Sequence, residues 1–308
     1  MRFGRRSALS LMKKQRAYYL LALPGIVYFL VFHYLPMFGI TIAFKDYTVY
    51  RSIAESPWVG LDVFKRLFSL RGFNRALSNT IIISLLQMVT GFPISVIIAL
   101  MINELRSRRY SKYIQTTIIL PHFISWVVIY GLIYGMLSPN VGLIKGIYSI
   151  LLPNAAVPNL LMDKRYFRLL LVLSNIWKNT GFASIMYTAA ITGIDQQLYE
   201  SARLDGAGRW KQMLYVTLPG IQSTILIMLI LRVGSIMSAD FEQVFTLLNP
   251  TVRQVGDIID TFVYEMGLKQ AEYSLSTAAG LFKSVISLIF VLGTNAIVRR
   301  VDRDSALL

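Results

Sequence analysis

The sequence predicts an all-α integral membrane protein with six transmembrane helices. Of its 308 residues, 55% are hydrophobic and 15% are charged, whereas an average soluble domain has roughly 25% charged residues. This composition excludes soluble domains, which need a more charged surface, and disordered chains, which lack apolar residues. Cysteine is absent, which excludes disulfide scaffolds, thiolate metal sites, CxxC redox motifs and cysteine nucleophiles.

Six apolar stretches are long enough to cross a membrane. A crossing needs about 20 mainly apolar residues, because the hydrocarbon layer is ~30 Å thick and each helical residue adds ~1.5 Å. The stretches cover residues 17–44, 78–102, 114–138, 169–193, 218–248 and 278–298. The two longest, the first and the fifth, are expected to include interfacial turns or non-spanning helix. No linker or repeat divides the chain, so residues 1–308 are expected to form a single transmembrane domain.

The N-terminal stretch is predicted to be a span and not a signal peptide. Basic residues precede it, as in a signal peptide, but its apolar run continues to Phe44 without an A-x-A cleavage site. A signal peptide has an apolar region of only ~7–15 residues. Pro24 and Pro36 are expected to kink this first helix.

The distribution of basic residues predicts the orientation. With six spans, both termini lie on the same side of the membrane. The segments between spans and at the termini on that side hold 16 Lys and Arg in 61 residues, and the loops on the other side hold 12 in 92 residues. Because cytoplasmic loops are enriched in these residues, both termini are expected in the cytoplasm. The contrary observation is the first outer loop, where Lys65, Arg66, Arg71 and Arg75 alternate with apolar residues. We interpret that stretch as an amphipathic helix on the outer surface, in contact with membrane lipid.

The net charge of +15 is mainly a consequence of this topology. Such an excess also occurs in nucleic-acid-binding proteins, but six spans exclude that class.

One predicted cytoplasmic loop, residues 196–219, is not an ordinary connection between spans. Gly206 and Gly208 separate two short helical pieces and allow the backbone to turn sharply. Asp205 is predicted to N-cap the second piece. Small residues alternate with apolar ones such as Trp210, so the loop is expected to form a helical knob that inserts into a partner's groove. The alternative is an ordinary amphipathic connector.

The run Glu-Ser-Ala-Arg-Leu-Asp-Gly-Ala followed by Thr-Leu-Pro resembles the EAA signature of binding-protein-dependent ABC importer permeases. The positions concerned are Glu200, Ser201, Ala202, Asp205, Gly206, Ala207, Leu218 and Pro219, with Ser201 in place of the usual alanine. In that family the loop docks in a cleft of the cytoplasmic ATPase, so the resemblance implies that these residues couple the chain to an ATPase. It covers nearly the whole chain, with a family core of about 74–298. It implies the ABC importer type I permease fold in a bacterial cytoplasmic (inner) membrane.

Two further motifs resemble the maltose-type branch of this family, which imports oligosaccharides. They are Phe241-Glu242-Gln243 with Leu248-Asn249-Pro250, and Thr277-Ala278-Ala279-Gly280-Leu281-Phe282-Lys283. The resemblance places the chain near the larger-saccharide permeases. It implies a second homologous permease, two ATPase subunits that hold ATP and magnesium, an extracytoplasmic solute-binding protein and a sugar substrate.

No catalytic, cofactor or metal site is expected on this chain. It contains no GxxxxGK[ST] phosphate loop and no G-x-S-x-G motif, and His33 and His122 form no paired-ligand motif. Two alternative functions stay open: an ABC importer for a non-sugar solute such as peptide or phosphate, and an ion-driven carrier or channel.

Polar and aromatic residues inside the predicted spans are candidate solute contacts. A charge at mid-span costs about 2.5–3.5 kcal/mol on insertion scales, so Lys178 and Arg232 are functional candidates, with no acid expected at comparable depth. The candidate path residues are Trp126, Tyr130, Trp177, Lys178, Asn179, Arg232, Asp240 and Glu242. The alternative for the aromatic residues is interfacial anchoring or helix packing. The two cations raise the hypothesis that the solute is an acidic saccharide, such as a uronate oligomer.

Overall fold

A computed structural model describes residues 15–152 and 156–302, and these form helices joined by short loops. The helices are α1 (Arg16–Phe44), α2 (Asp62–Ser69), α3 (Arg71–Asn103), α4 (Arg108–Phe123), α5 (Trp126–Leu137), α6 (Leu143–Leu151), α7 (Lys164–Thr192), α8 (Gln196–Leu204), α9 (Arg209–Gly220), α10 (Gln222–Gly234), α11 (Phe241–Leu247), α12 (Arg253–Gly256), α13 (Ile259–Tyr264) and α14 (Tyr273–Val301). The prediction of an all-α fold is confirmed for the described residues, whose only β pairing is an isolated bridge between Lys45 and Trp58. Both chain termini lie outside these residues.

Within this part of the chain, three helices are long and apolar enough to cross a membrane: α1, α3 and α14. They coincide with the predicted spans at 17–44, 78–102 and 278–298. Helix α1 changes from α-helical to π-helical geometry at Leu30 and to 3-10 geometry at Leu35, next to Pro36. A proline removes a backbone donor, which favours such a change in the helix.

Two predicted spans are bent and not straight. The stretch 114–138 divides into α4 and α5, which meet at 100°, and Pro121 lies in the last turn of α4. The stretch 218–248 begins in the last turn of α9, which meets α10 at 58°, and it leaves the helical conformation after Gly234. The number of possible spans in the described residues rises from three to five if each bent pair of helices is one span.

The predicted fourth span, 169–193, lies within α7. This helix has 29 residues, long enough to cross a bilayer, but it is not among the helices that are apolar enough. Buried polar residues, among them Asn175 and Lys178, lower its apolar content.

The amphipathic outer helix is shorter than the sequence predicts. Lys65 and Arg66 lie on α2, whereas Arg71 and Arg75 belong to the first turns of the long helix α3. The break is Leu70, whose extended backbone separates the two helices. The interpretation of residues 65–75 as one surface helix is therefore wrong at its C-terminal half.

Helices α3 and α7 form the centre of the molecule and run in the same direction. At their N-terminal ends the Arg168 guanidinium donates to Asn79 Oδ1 at 2.8 Å. At their C-terminal ends Ala99 and Ile191 belong to one buried cluster, which also contains Ile221. The loop 196–219 lies at this C-terminal end, since it directly follows α7.

The opposite end of the bundle, where α3 and α7 begin, is held together by ion pairs. Asp257, whose side chain is 2% exposed, forms ion pairs with Arg75 at 3.2 Å and with Arg253 at 3.5 Å. Its other carboxylate oxygen accepts from the Thr261 hydroxyl at 2.8 Å. Several basic residues of the predicted outer loops thus fix the turn before α13 onto α3.

Candidate functional site

The loop 196–219 forms a helix–turn–helix whose turn is a Schellman motif. Gly206 has a φ of +74°, and its N–H donates to the Arg203 carbonyl at 3.0 Å. The Ala207 N–H donates to the Ala202 carbonyl at 2.9 Å. These two bonds satisfy carbonyls that would otherwise be unpaired at the end of α8, and they require a left-handed residue at 206. The predicted sharp turn at Gly206 is confirmed.

The predicted role of Asp205 as an N-cap is wrong. Asp205 is the C-cap of α8, and Gly208 in extended conformation is the residue before α9. The Schellman motif places its left-handed residue directly after the C-cap, so Asp205 must end the first helix. The N-cap of α8 is Asp195, whose carboxylate accepts from the Gln197 N–H at 3.0 Å.

The turn and its flanking helices present an open apolar surface. Leu204 is 90% exposed and Trp210 is 76% exposed, and a Cβ added at Gly206 or Gly208 would meet no atom within 4 Å. Among the residues of the EAA signature, those exposed are Glu200, Ser201, Asp205, Gly206 and Pro219, and those half-buried are Ala202, Ala207 and Leu218. The small residues are thus arranged as a surface that another protein can approach closely.

This surface is firmly joined to the helix bundle. The Tyr199 hydroxyl on α8 lies 2.9 Å from the Thr217 hydroxyl on α9, and Thr217 is 1% exposed. Leu218 packs against the buried cluster that contains Ile221. Arg209 reaches the loop after α3, where it lies 3.8 Å from the Glu104 carboxylate. These contacts attach the loop to α3, α7 and α10.

A cavity of about 330 Å³ lies among α3, α7 and α10. Its polar and aromatic lining consists of Gln87, Phe92, Ser95, Asn175, Asn179, Thr180, Tyr187, Arg232 and Ser235. Gln87, Phe92 and Ser95 recur on α3 at spacings of five and three, and Asn175 and Asn179 are four apart on α7, so each helix turns one face with polar residues towards the cavity. A hydrated, partly aromatic space inside the bundle is a suitable path for a polar solute.

Most of the polar lining is bonded within the chain, but three side chains are not. The Asn179 Oδ1 lies 3.1 Å from His122 Nδ1. Within the described residues, Asn175, Tyr187 and Arg232 make no side-chain hydrogen bond or ion pair, although Asn175 is 7% exposed and Tyr187 is 3% exposed. All three side chains line the cavity, so their polar groups are open to a solute there.

Arg232 does have an acid nearby, contrary to the expectation from the sequence. The negative charge of Asp240 acts on its guanidinium, because the chain leaves helical geometry after Gly234 and folds back. Both Asp240 oxygens are engaged elsewhere: one accepts from Trp126 Nε1 at 2.7 Å, the other from the Gln243 N–H at 3.2 Å.

Three predicted path residues form a separate cluster that braces the bend between α4 and α5. Lys178 donates to the carbonyls of His122, at 2.9 Å, and Ile124. Its ammonium also lies 5.3 Å from the centre of the Trp126 ring, and the Trp126 indole is bonded to Asp240. Of the eight candidates, only Asn179 and Arg232 line the cavity.

The remaining candidates face away from the cavity. Trp177 is 48% exposed, Tyr130 is 36% exposed and Glu242 is exposed. The ring centres of Tyr130 and Tyr134 lie 6.1 Å apart, as their spacing of four residues predicts.

Sequence reasoning did not select Gln87 or Asn175, which also line the cavity. The signal available was the spacing of four between polar residues on one helix, as in Gln87, Gly91 and Ser95 or in Asn175 and Asn179. Uncharged polar residues are common in membrane helices, so this spacing gained significance only when the structure placed both stripes against α10.

Comparison with known proteins gives a consistent picture. Residues 91–303 match the family described as binding-protein-dependent transport system inner membrane component. The chain is 43% identical over 298 residues to Protein LplB of Bacillus subtilis (strain 168), covering 97% of this chain and 93% of LplB. It is also 43% identical over 291 residues to the polygalacturonan/rhamnogalacturonan transport system permease protein YteP of the same organism, covering 94% of this chain and 90% of YteP.

Solved structures are similar over almost the full chain. A chain of a bacterial ABC transporter involved in the import of the acidic polysaccharide alginate superposes with a TM-score of 0.88 at 40% identity, covering 96% of this chain and 99% of the other. The same type of transporter in complex with an alginate pentasaccharide-bound periplasmic protein gives a TM-score of 0.87 at 40% identity, with coverages of 96% and 98%.

Proposed function

The chain belongs to the family of binding-protein-dependent transport system inner membrane components, and we propose that it is the permease subunit of an ATP-driven importer of oligosaccharides, including acidic ones. As a member of this family it is a non-catalytic membrane component. ATP is used by the ATPase partner of such a subunit. The observation that carries the proposal is the helix–turn–helix at 196–219, an exposed apolar surface fixed to the helices around a polar cavity.

In this proposal the turn at Gly206 docks on a cytoplasmic ATPase subunit. Exposed Leu204 and Trp210 provide the apolar area that such a contact buries. Closure of the ATPases on ATP binding moves the turn. The contact between Tyr199 and Thr217 holds α8 to α9, and the packing of Leu218 in the cluster with Ile221 passes the movement to α10. Rocking of the helices then exposes the cavity alternately to the two sides of the membrane.

The proposal also fixes topology and partners. Six spans with both termini in the cytoplasm place the 196–219 turn inside and the turn around Asp257 outside. The outside surface is where an extracytoplasmic solute-binding protein docks, and the structural relative bound to its periplasmic protein supports this partner. A second, homologous permease and two ATPase subunits complete the complex, and the two permeases share the solute path.

Copurification and reconstitution test this function. Affinity purification of the chain from membranes should recover a second permease and ATPase subunits, and the complex in liposomes should take up oligosaccharide when binding protein and ATP are present. ATPase activity should rise when the binding protein is loaded with the sugar. Uptake without any ATPase would contradict the proposal in favour of an ion-driven carrier. Stimulation by peptide or phosphate alone would favour a non-sugar importer.

A further inference from the structure

Two cations lie within the bundle, a buried Lys178 and an exposed Arg232, and their surroundings differ. The Lys178 ammonium is saturated by two backbone carbonyls and the face of Trp126. The Arg232 guanidinium lines the cavity and, within the described residues, has no hydrogen bond or ion pair. A charge in a membrane interior is costly unless it is compensated, so Arg232 needs an anion that the described chain does not supply.

Asp240 does not fill this role. Its carboxylate is committed to Trp126 on one oxygen and to the start of α11 on the other, and it makes no ion pair with Arg232 within the described residues. Its charge stabilises the guanidinium from a distance while the donors of Arg232 stay available on the cavity side.

Two further groups in the same cavity lack partners. Asn175 and Tyr187 are each more than nine-tenths buried, and neither side chain makes a hydrogen bond within the described residues. An amide can donate and accept, a phenol can do the same, and a guanidinium only donates. Asn175 and Tyr187 are twelve residues apart on α7, about 18 Å along the helix axis, so they suit hydroxyls of neighbouring sugar units, while the guanidinium suits a uronate carboxylate. The Tyr187 and Phe92 rings, 6.1 Å apart, add apolar surface.

We propose that this cavity binds a short acidic stretch of the passing oligosaccharide, with Arg232 on a carboxylate and Asn175 and Tyr187 on hydroxyls of neighbouring units. The volume of about 330 Å³ lies at the lower end of the range for ligand pockets, which suits a short saccharide segment. A guanidinium binds a carboxylate with two parallel hydrogen bonds. Arg232 therefore determines the preference for acidic over neutral sugars, and Lys178 does not. This inference rests on the proposed function as an oligosaccharide importer.

The test compares uptake of acidic and neutral sugars by one reconstituted complex. The probes are trigalacturonate and trimannuronate, each paired with its carboxyl-reduced, neutral trimer. Because the same binding protein delivers the sugars to every permease variant, its own preference cancels when the acidic-to-neutral uptake ratio is compared between variants. The variants are Arg232→Gln, Arg232→Lys and, as a matched loss of one charge, Arg71→Gln, whose side chain is exposed at the start of α3.

Arg232→Gln should lower the acidic-to-neutral uptake ratio about 10- to 100-fold, the effect of losing a charged hydrogen bond. Arg232→Lys should give an acidic-to-neutral uptake ratio between those of Arg232→Gln and the wild type, and Arg71→Gln should give the wild-type ratio. An unchanged ratio in Arg232→Gln overturns the inference, and so does wild-type uptake of neutral trimers only. Both results leave the proposed function standing. Uptake of none of the four sugars, with ATPase activity unresponsive to the loaded binding protein, contradicts the proposed function itself.

Discussion

Lys178 donates a hydrogen bond to the His122 carbonyl oxygen at 2.9 Å, which joins the middle of α7 to the bend between α4 and α5. The bend leaves carbonyl oxygens without helical donors, because the backbone turns through 100° between Phe123 and Trp126. Inside a membrane no water replaces the missing donors. A lysine with three donors satisfies two of these carbonyls at once, which gives this buried cation a structural role.

Replacing Lys178 with methionine should destabilise the protein without changing which sugar it prefers. The carbonyls of His122 and Ile124 lose their donor, and an unsatisfied buried polar group costs about 1–3 kcal/mol. Thermal unfolding of the purified chain in detergent, followed by circular dichroism, should show a lower midpoint for Lys178→Met. Trp177→Phe, a neighbouring change at a half-exposed side chain, is the control. An unaltered midpoint in Lys178→Met would show that the contact is not needed for the bend.

The left-handed backbone at Gly206 predicts a graded response to substitution. Asparagine tolerates a positive φ better than other non-glycine residues, whereas a β-branched residue is strongly disfavoured there. Gly206→Asn should retain transport, and Gly206→Val should lose the Schellman turn and with it ATPase association. No atom lies within 4 Å of the added Cβ, so the membrane level of either variant should stay normal. Membrane fractions, copurified ATPase and sugar uptake report the outcome. Equal transport by both variants would contradict this assignment of the turn.

The sequence was sufficient for the features that depend on composition and on contiguous residues. Apolar length predicted α1, α3 and α14, and the glycine at 206 predicted a turn. It was insufficient where the chain folds back, because the bend after Gly234 brings Asp240 near Arg232 although a straight helix would separate them. Their mid-span positions made Lys178 and Arg232 equally good functional candidates. Only the three-dimensional arrangement distinguishes a lysine bonded to carbonyls from an arginine open to a cavity.

Gly181 marks the closest approach of α7 to α4. A Cβ at this position would lie 2.0 Å from the Ile118 carbonyl oxygen, so Gly181→Ala should force the two helices apart. We expect a clear loss of thermal stability and less inserted protein. Gly91→Ala on α3 is the matched control, since its Cβ would meet only Thr180 Cγ2, at 3.9 Å. Equal unfolding midpoints for the two variants would show that α4 moves freely against α7.

Gln243 connects α11 to both central helices, and the direction of its hydrogen bonds predicts an asymmetry between two variants. It is 0% exposed, it donates to the Leu171 carbonyl at 2.7 Å and to the Ser174 hydroxyl at 2.8 Å, and it accepts from the Gln87 amide at 2.9 Å. Gln243→Ala therefore removes one hydrogen bond from each of three groups: the Leu171 carbonyl, the Ser174 hydroxyl and the Gln87 amide. Gln87→Ala removes only the hydrogen bond that the Gln243 amide oxygen accepts.

At about 0.5–1.5 kcal/mol for each lost hydrogen bond, Gln243→Ala, which loses three, should lower the unfolding midpoint considerably more than Gln87→Ala, which loses one. The exposed Gln222 at the start of α10 provides a neutral glutamine-to-alanine control. Denaturation of the three variants in the same detergent measures the difference. If Gln87→Ala were as destabilising as Gln243→Ala, the contacts to Leu171 and Ser174 would contribute nothing. The attachment of α11 would then depend on the hydrogen bond from Gln87 and on apolar packing.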